Sequence, residues 1–298
     1  MPKRFCTTGT CIPEKNYMVD ISKRLDKIIQ NYIENGQYFT INRARQYGKT
    51  TTLYLLEHRL REKYLVLSLS FESADEYFQS LENLAEGLQM DIGDCLREQN
   101  VSETLIQEWN QPLSEKFPMR SLGTKISLLC KNSLKKVILM VDEVDKSSDN
   151  QIFLSFLGLL REKYLRWQQG KDETFQSVIL AGVYDVKTLK LKIHPQEESK
   201  YNSPWNIAVD FQIDMSFGVQ DIEGMLREYE REYQAGIKIP ETAQLLYDYT
   251  AGYPYLVSKI CQLVDERISG TKEFPNKIDA WKKEGVLSAI KVLLKEPN

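Results

Sequence analysis

Histidine is almost missing from this chain: 298 residues hold only His58 and His194. Cysteine is sparse too, at five. Cys95, Cys130 and Cys261 fall in helix-like apolar patterns and read as core thiols, while Cys6 and Cys11 lie closer together, so no disulfide framework is expected. A zinc site would need more ligands than this supply offers. Long apolar runs are also lacking; none approaches the ~18–20 residues of a membrane span. The start, Met1 to Cys6, has no apolar stretch of the secretory type. Nor is there an excess of one charge. Lys and Arg number 39 against 42 Asp and Glu, for a net charge of -3, so no global field steers the chain toward nucleic acid, although a local basic patch stays open. A soluble cytoplasmic protein without a membrane partner is the expectation. No internal repeat or low-complexity tract is visible.

What is present is an ordinary globular balance, 42% apolar and 27% charged, with room for one large domain or two modest ones. Ile21, Leu25, Ile28, Ile29, Tyr32 and Ile33 recur at helical spacing within 17–34, and Asn35-Gly36 ends that helix. Strands are expected over 37–42, 65–71, 136–141, 175–181 and near 207–215. Helices are expected over 48–64, through most of 74–133 with breaks near Asn100 and Pro112, and over 151–168. Five strands separated by helices predict an α/β fold with a parallel sheet, since each crossover needs a helix to cover a face. After Phe217 the pattern is helical throughout: 220–234, 240–250, 254–269 and 277–295. A boundary near Ser216 therefore divides a nucleotide-binding type of core, 1–215, from a helical region, 216–298.

Between the first expected strand and its helix stands Arg43-Ala-Arg-Gln-Tyr-Gly-Lys-Thr-Thr. Gly48-Lys49-Thr50 fits the second half of a phosphate loop, whose first glycine is replaced by Arg43. Glycine lets the backbone approach a phosphate, and the helix start directs N–H groups and the positive dipole end at an anion. Lys49 would reach the β and γ phosphates, Thr50 would offer a hydroxyl to Mg²⁺, and Thr51 would hold the α-phosphate. Arg43 and Arg45 flank the loop and can add charge.

A second signal is Val137-Ile-Leu-Met-Val-Asp142-Glu143. An apolar run buries a strand on both faces, and its carboxyl end emerges where open α/β sheets bind ligands. Asp142 would hold Mg²⁺ and Glu143 would polarise a water for attack on the γ-phosphate. The second acid favours a hydrolase over a kinase. Asp145 reads as a helix cap or loop acid.

The stretches Tyr17-Met-Val-Asp, Ile41-Asn-Arg-Ala-Arg-Gln-Tyr-Gly-Lys-Thr-Thr-Thr, Leu180-Ala-Gly-Val-Tyr-Asp-Val-Lys and Gly252-Tyr-Pro-Tyr-Leu-Val resemble the bacterial AAA-ATPase-like proteins, a group similar to the archaeal ATPase and STAND NTPase branches. The sharpest motif is the loop Arg45-Gln46-Tyr47-Gly48-Lys49-Thr50. The resemblance implies a P-loop NTPase core with Walker A and Walker B elements, a five-stranded sheet of order 5-1-4-3-2, a helical lid of winged-helix-like type, and ATP or ADP with Mg²⁺ as ligands. It implies that Tyr17 and Met18 cradle adenine, that the Pro254 region meets the nucleotide, and that Tyr184 or Asp185 senses the γ-phosphate. Local explanations stand beside these: Tyr17 and Met18 can pack the first helix, Gly252 and Pro254 can end one helix and start the next, and Asp185 can serve a turn.

Lys187, Lys190 and Lys192 read mainly as a solvated loop, and Arg161 and Lys163 as a helix end or as fingers reaching a neighbouring copy. Three functions fit. The first is an ATP-hydrolysing switch acting on its C-terminal helices, with a protein partner or self-association. The second is a slow-turnover nucleotide-binding scaffold. The third, weakened by the even mix of acids and bases after Ser216, is a DNA-associated ATPase resembling origin-binding relatives.

Overall fold

Strands of five or six residues make up the main sheet of this protein, in a computed structural model that describes residues 2–147, 151–183 and 204–295. Its strands are β1 (Arg4–Phe5), β2 (Asn16–Tyr17), β3 (Tyr38–Asn42), β4 (Leu65–Ser70), β5 (Val137–Asp142) and β6 (Ser177–Gly182). The longer helices up to the sheet's last strand are α1 (Ser22–Ile28), α2 (Lys49–Leu60), α3 (Leu81–Glu98), α4 (Glu103–Trp109), α5 (Pro118–Asn132) and α6 (Gln151–Gln168). Beyond it come α7 (Val219–Tyr233), α8 (Ile239–Thr250), α9 (Pro254–Leu263), α10 (Lys277–Ala280) and α11 (Lys283–Leu293). Among the described residues no helix is long and apolar enough to cross a membrane.

Contacts divide the chain into two units: Leu25–Ala44 with Leu53–Gln212, and Met1–Arg24 with Arg45–Thr52 and Ile213–Asn298. The first unit carries a four-stranded parallel sheet of order β3-β6-β5-β4. Register pairs run Val66 with Ile138, Leu139 with Val178, and Phe39 with Ile179. Every residue of β5 and β6 is buried, as strands covered on both faces require. Leu67, Leu139 and Val178 share a core cluster with Phe71, Leu84, Trp109, Phe153 and Phe156. The helical stretch between β4 and β5 breaks at 99–102 and 110–117, where sequence reasoning set it near Asn100 and Pro112.

The expected fifth strand is a correction. Among the described residues the sheet has four strands, and the segment near 207–215 adds only an isolated parallel bridge, Val209 beside Phe39. Its continuation is occupied by a side chain: the Tyr32 hydroxyl donates to the Asp210 carbonyl (3.3 Å) and accepts from the Gln212 N–H (3.0 Å). These are backbone groups a ladder would otherwise use. The observed order is otherwise the 1-4-3-2 part of the expected arrangement, and the two-stranded sheet of β1 and β2 is separate from it.

The second unit joins the segment up to Arg24 to the helices after Ile213. β1 and β2 pair in parallel, Phe5 beside Tyr17, which delays the first helix to Ser22. There Asp20 accepts the Ser22 N–H (2.9 Å). Phe5, Tyr17, Tyr229 and Trp281 interlock with ring centroids 5.0–6.1 Å apart for the pairs Phe5–Tyr17 and Tyr229–Trp281 and for Phe5–Trp281. The expected helix over 277–295 divides into α10 and α11. Lys282 is extended (ψ 160), and Gly285 lets the chain pass the Ala280 carbonyl, which would lie 2.1 Å from a Cβ there.

Candidate nucleotide site

The loop before α2 turns on two left-handed residues, Gln46 (φ 61) and Gly48 (φ 76). The second is a conformation glycine enters at no steric cost. A Cβ built on Gly48 would meet nothing within 4 Å, so open space faces it. The first turn of α2 is fixed by Thr52, whose N–H and hydroxyl both donate to the Gly48 carbonyl at 2.9 Å. A twelve-residue helix thus begins at Lys49, giving a positive dipole end beside that space. Lys49 is buried and Thr50 exposed.

Beside this loop lies a cavity of about 370 Å³ within the same unit. Gln46, Tyr47, Gly48 and Thr51 form one wall, Met18, Val19 and Ile21 a second, and Phe217, Pro254 and Tyr255 a third, with the segment from Cys6 to Cys11 closing it. The wall is mostly apolar, as a base face requires, with a few polar groups. Tyr47 and Tyr253 pack ring against ring at 4.8 Å, and the Tyr253 hydroxyl donates to the Arg45 carbonyl at 2.6 Å. Pro254 does start a helix, and the preceding helix ends at Ala251 in the left-handed conformation, followed by Gly252 at φ 73. That turn sets Phe217 on the wall, because the Phe217 N–H donates to the Gly252 carbonyl at 2.8 Å.

Not every residue singled out in the sequence lines the cavity. Met18, Gln46, Tyr47, Gly48, Thr51 and Pro254 do; Arg45, Lys49 and Thr50 do not. Tyr17 is packed in the aromatic cluster instead, 1% exposed, with its hydroxyl on Glu232 and the rings of Phe5 and Tyr229 against its own. Burial, then the Glu232 carboxylate, raises its pKa far above the usual phenol range. Arg43 is tied to the sheet: its N–H donates to the Gly182 carbonyl at 3.2 Å and its guanidinium lies 5.6 Å over Phe211.

Sequence reasoning missed Arg24 and Phe217. Arg24 lines the cavity and donates to the Ser216 carbonyl at 3.0 Å; burial lowers its pKa while Asp221 and Asp214 oppose that. An isolated arginine on an amphipathic helix carries no signal that could have found it. The lysine at 163 is corrected as well. It is 3% exposed and paired with Asp172 at 3.1 Å, so it is no finger for a neighbour, and Arg161 donates to Asn206 at 3.0 Å. Tyr184, Asp185 and Lys187, Lys190 and Lys192 lie outside the described residues.

In the sheet unit, β5 delivers Asp142 to the carboxyl edge, buried and in register with Ser70. The next residue, Glu143, has φ 56, a left-handed conformation costly for a glutamate, and its N–H donates to Asp142 Oδ1 at 2.9 Å. Asp145 does serve the loop: its Oδ1 accepts the Val183 N–H at 3.0 Å and so joins the ends of β5 and β6. A Cβ on Gly182 would come within 2.8 Å of that oxygen. Because β6 lies between β5 and β3, the acidic strand end and the strand that feeds the loop are two positions apart in one sheet.

Solved structures share this architecture. The Walker-type ATPase paby2304 of Pyrococcus abyssi superposes with a TM-score of 0.53 at 13% identity, over 98% of this chain and 75% of that one. The Aeropyrum pernix ORC2 protein in its ADPNP-ADP complexes gives 0.55 at 11% identity, over 93% and 70%. The ORC1 protein of the same organism in complex with DNA gives 0.50 at 12% identity, over 93% and 66%. At these identities the likeness is one of fold. Among curated proteins none matches. A family model described as an AAA-like domain matches residues 9–278, nearly the full length, and the chain belongs to that AAA-like family.

Proposed function

We propose that the protein binds ATP in the cavity beside Gly48 and hydrolyses it, as a switch acting on its C-terminal helices. One observation carries this reading. A single cavity takes walls from the Gln46–Gly48 loop, from the N-terminal segment at Met18 and from the helical region at Phe217 and Pro254. A nucleotide seated there would touch all three, so its loss or cleavage would act directly on the region 216–298, which we take as a lid.

In this reading Met18 and Pro254 face the base, Gln46, Tyr47, Gly48 and Thr51 follow the ribose and α-phosphate, and Lys49 takes the β and γ phosphates, with Arg45 beside the loop. Thr50 and Asp142 offer hard oxygen donors, the chemistry that Mg²⁺ prefers. When bound, that ion would neutralise charge developing between the β and γ phosphates. Glu143 holds the attacking water and accepts its proton. The strained backbone at Glu143 supports this role, since such strain collects at reacting sites. DNA association gains nothing from the first lid helix: α7 carries Asp221, Glu223, Glu228, Glu230 and Glu232 against Arg227 and Arg231.

The test is ATP turnover by wild type, Lys49→Ala and Glu143→Gln, with bound nucleotide quantified in each. Wild type turning over, Lys49→Ala losing nucleotide and Glu143→Gln retaining it without turnover is the expected pattern. Tight binding with equal, slow turnover in wild type and Glu143→Gln would make the protein a scaffold instead. No nucleotide on any of the three would remove the reading altogether.

A further inference from the structure

The cavity holds a feature that nucleotide binding leaves unused. Two of its lining residues are thiols, Cys6 and Cys11, at the two ends of a segment whose Thr7, Thr8 and Gly9 also line it. Both are free and partly accessible, and each thiol acts on the acidity of the other across the same turn. The remaining cysteines are elsewhere: Cys95 and Cys261 are buried and Cys130 packs against the sheet unit's core.

The segment is attached to the phosphate loop's helix and to the lid. The Cys11 N–H donates to Thr51 Oγ1 at 3.1 Å, and the Thr7 hydroxyl donates to Gln262 at 3.3 Å. Between them, Gly9 takes φ 70 and nothing lies within 4 Å of a Cβ there, so the turn is open. Any constraint on its two ends acts on a wall of the cavity and on Thr51.

We propose that Cys6 and Cys11 form a dithiol site that small-molecule disulfides oxidise to an intramolecular disulfide, and that this bond closes the cavity to nucleotide. The gating half rests on the nucleotide reading above. The Cys6 thiolate attacks one sulfur of the incoming disulfide, whose S–S bond breaks and releases one thiolate. Cys11 then gives its proton to solvent and attacks the Cys6 sulfur of the mixed disulfide, releasing the second thiolate. Two protein thiols are oxidised and one disulfide is reduced to two thiols. Cys6 suits the first step. The Cys11 thiol, with help from a backbone hydrogen bond at Thr8, holds its pKa at about 7 against the opposing effect of burial, while Cys11 stays protonated until it is needed. Reciprocity follows: a nucleotide that excludes the disulfide state protects both thiols.

The experiment exposes the full chain to oxidised glutathione. Free thiols are then blocked and the peptides mapped by mass, and binding of a fluorescent ATP analogue is measured before oxidation, after it and after dithiothreitol. The expected result is a Cys6–Cys11 linked peptide, an affinity at least about tenfold lower, full recovery on reduction, and slower oxidation when ATP is present. In Cys6→Ser and Cys11→Ser the ratio of affinities with and without oxidant should fall to one. A glutathione adduct with no linked peptide, or a linked peptide with unchanged affinity, overturns the proposal. If the reduced protein already fails to bind the analogue, the nucleotide reading and the gate fall together, while the linked peptide reports on the dithiol separately.

Discussion

The carbonyl oxygen of Phe217 occupies the place a side chain at Gly252 would need: a Cβ there would stand 2.0 Å from it. Gly252 also has φ 73. Gly252→Ala therefore meets a backbone clash and a disfavoured conformation together. We expect it to cost more than ~2 kcal/mol of stability and to displace Phe217 from the cavity wall. Gly48→Ala is the control. It has a similar φ of 76 but no atom within 4 Å, so only the ~1–2 kcal/mol of left-handed strain is expected. Denaturant melts of both variants, with nucleotide titrations, check the contrast. Equal stability losses would mean that the Phe217 contact does not constrain the turn.

Much of this site was legible because glycine and proline punctuate it. Gly48 and Pro254 announce a loop and a helix start, and both line the cavity. The apolar run ending in Asp142 announces a buried parallel strand, and β5 is that strand. What stayed hidden depends on partners distant in sequence. Nothing local shows that Tyr32 would bond Asp210 and Gln212 and cut the fifth strand to a bridge. The same holds for Tyr17, whose neighbour Met18 faces the cavity while its own ring is taken by Phe5 and Tyr229. At the end of β2 the side chains of Tyr17 and Met18 part to opposite sides, so the ring enters the aromatic cluster and the thioether the cavity.

Glu143 offers a separation of stability from turnover. At φ 56 a glutamate bears left-handed strain of ~1–2 kcal/mol, while glycine at the same place costs ~0.5–1 kcal/mol in unfolded-chain entropy. Glu143→Gly should therefore gain ~0.5–1 kcal/mol of stability, yet lose ATP turnover by about 100-fold or more under the base role proposed for Glu143. Glu143→Gln should lose the same turnover with stability unchanged. Thermal melts beside steady-state ATP hydrolysis test this. A Glu143→Gly protein that is less stable than wild type would show that the left-handed turn is not strained.

The ion pair of Lys163 and Asp172 lies in the sheet unit with side chains 4% and 15% exposed. Burial raises the Asp172 pKa, but hydrogen bonds from Ser127 and Lys163 outweigh it, leaving the carboxyl below its usual range. A carboxylate with a lowered folded pKa contributes its full stability above the unfolded value, near pH 4, and loses it as pH falls through the folded one. Asp172→Asn should cost ~3 kcal/mol at neutral pH by leaving the Lys163 ammonium buried and unpaired. The gap to wild type should begin to narrow below about pH 4, where the unfolded carboxyl takes up its proton, and close as pH falls through the lower folded pKa. Urea melts across pH 3 to 7 measure it, and a gap independent of pH would assign the cost to packing.

The reactivity of Cys6 tests the thiol pair without reference to nucleotide. With its pKa lowered from 9.0 to about 7, mainly by the Cys11 thiol, half of Cys6 is thiolate near neutral pH. Its alkylation by iodoacetamide should rise through a midpoint near pH 7. In Cys11→Ala the largest lowering cause is gone, burial then acts against the charged form, and the midpoint should move up toward 9.0 or beyond. Cys95 and Cys130, pushed by burial to about 11 and about 12, supply internal controls that stay slow across this range. Peptide-resolved mass spectrometry of a pH series separates the sites in one sample. A Cys6 profile identical in wild type and Cys11→Ala would show that the two thiols do not interact, and would leave the thiolate to the loop backbone alone.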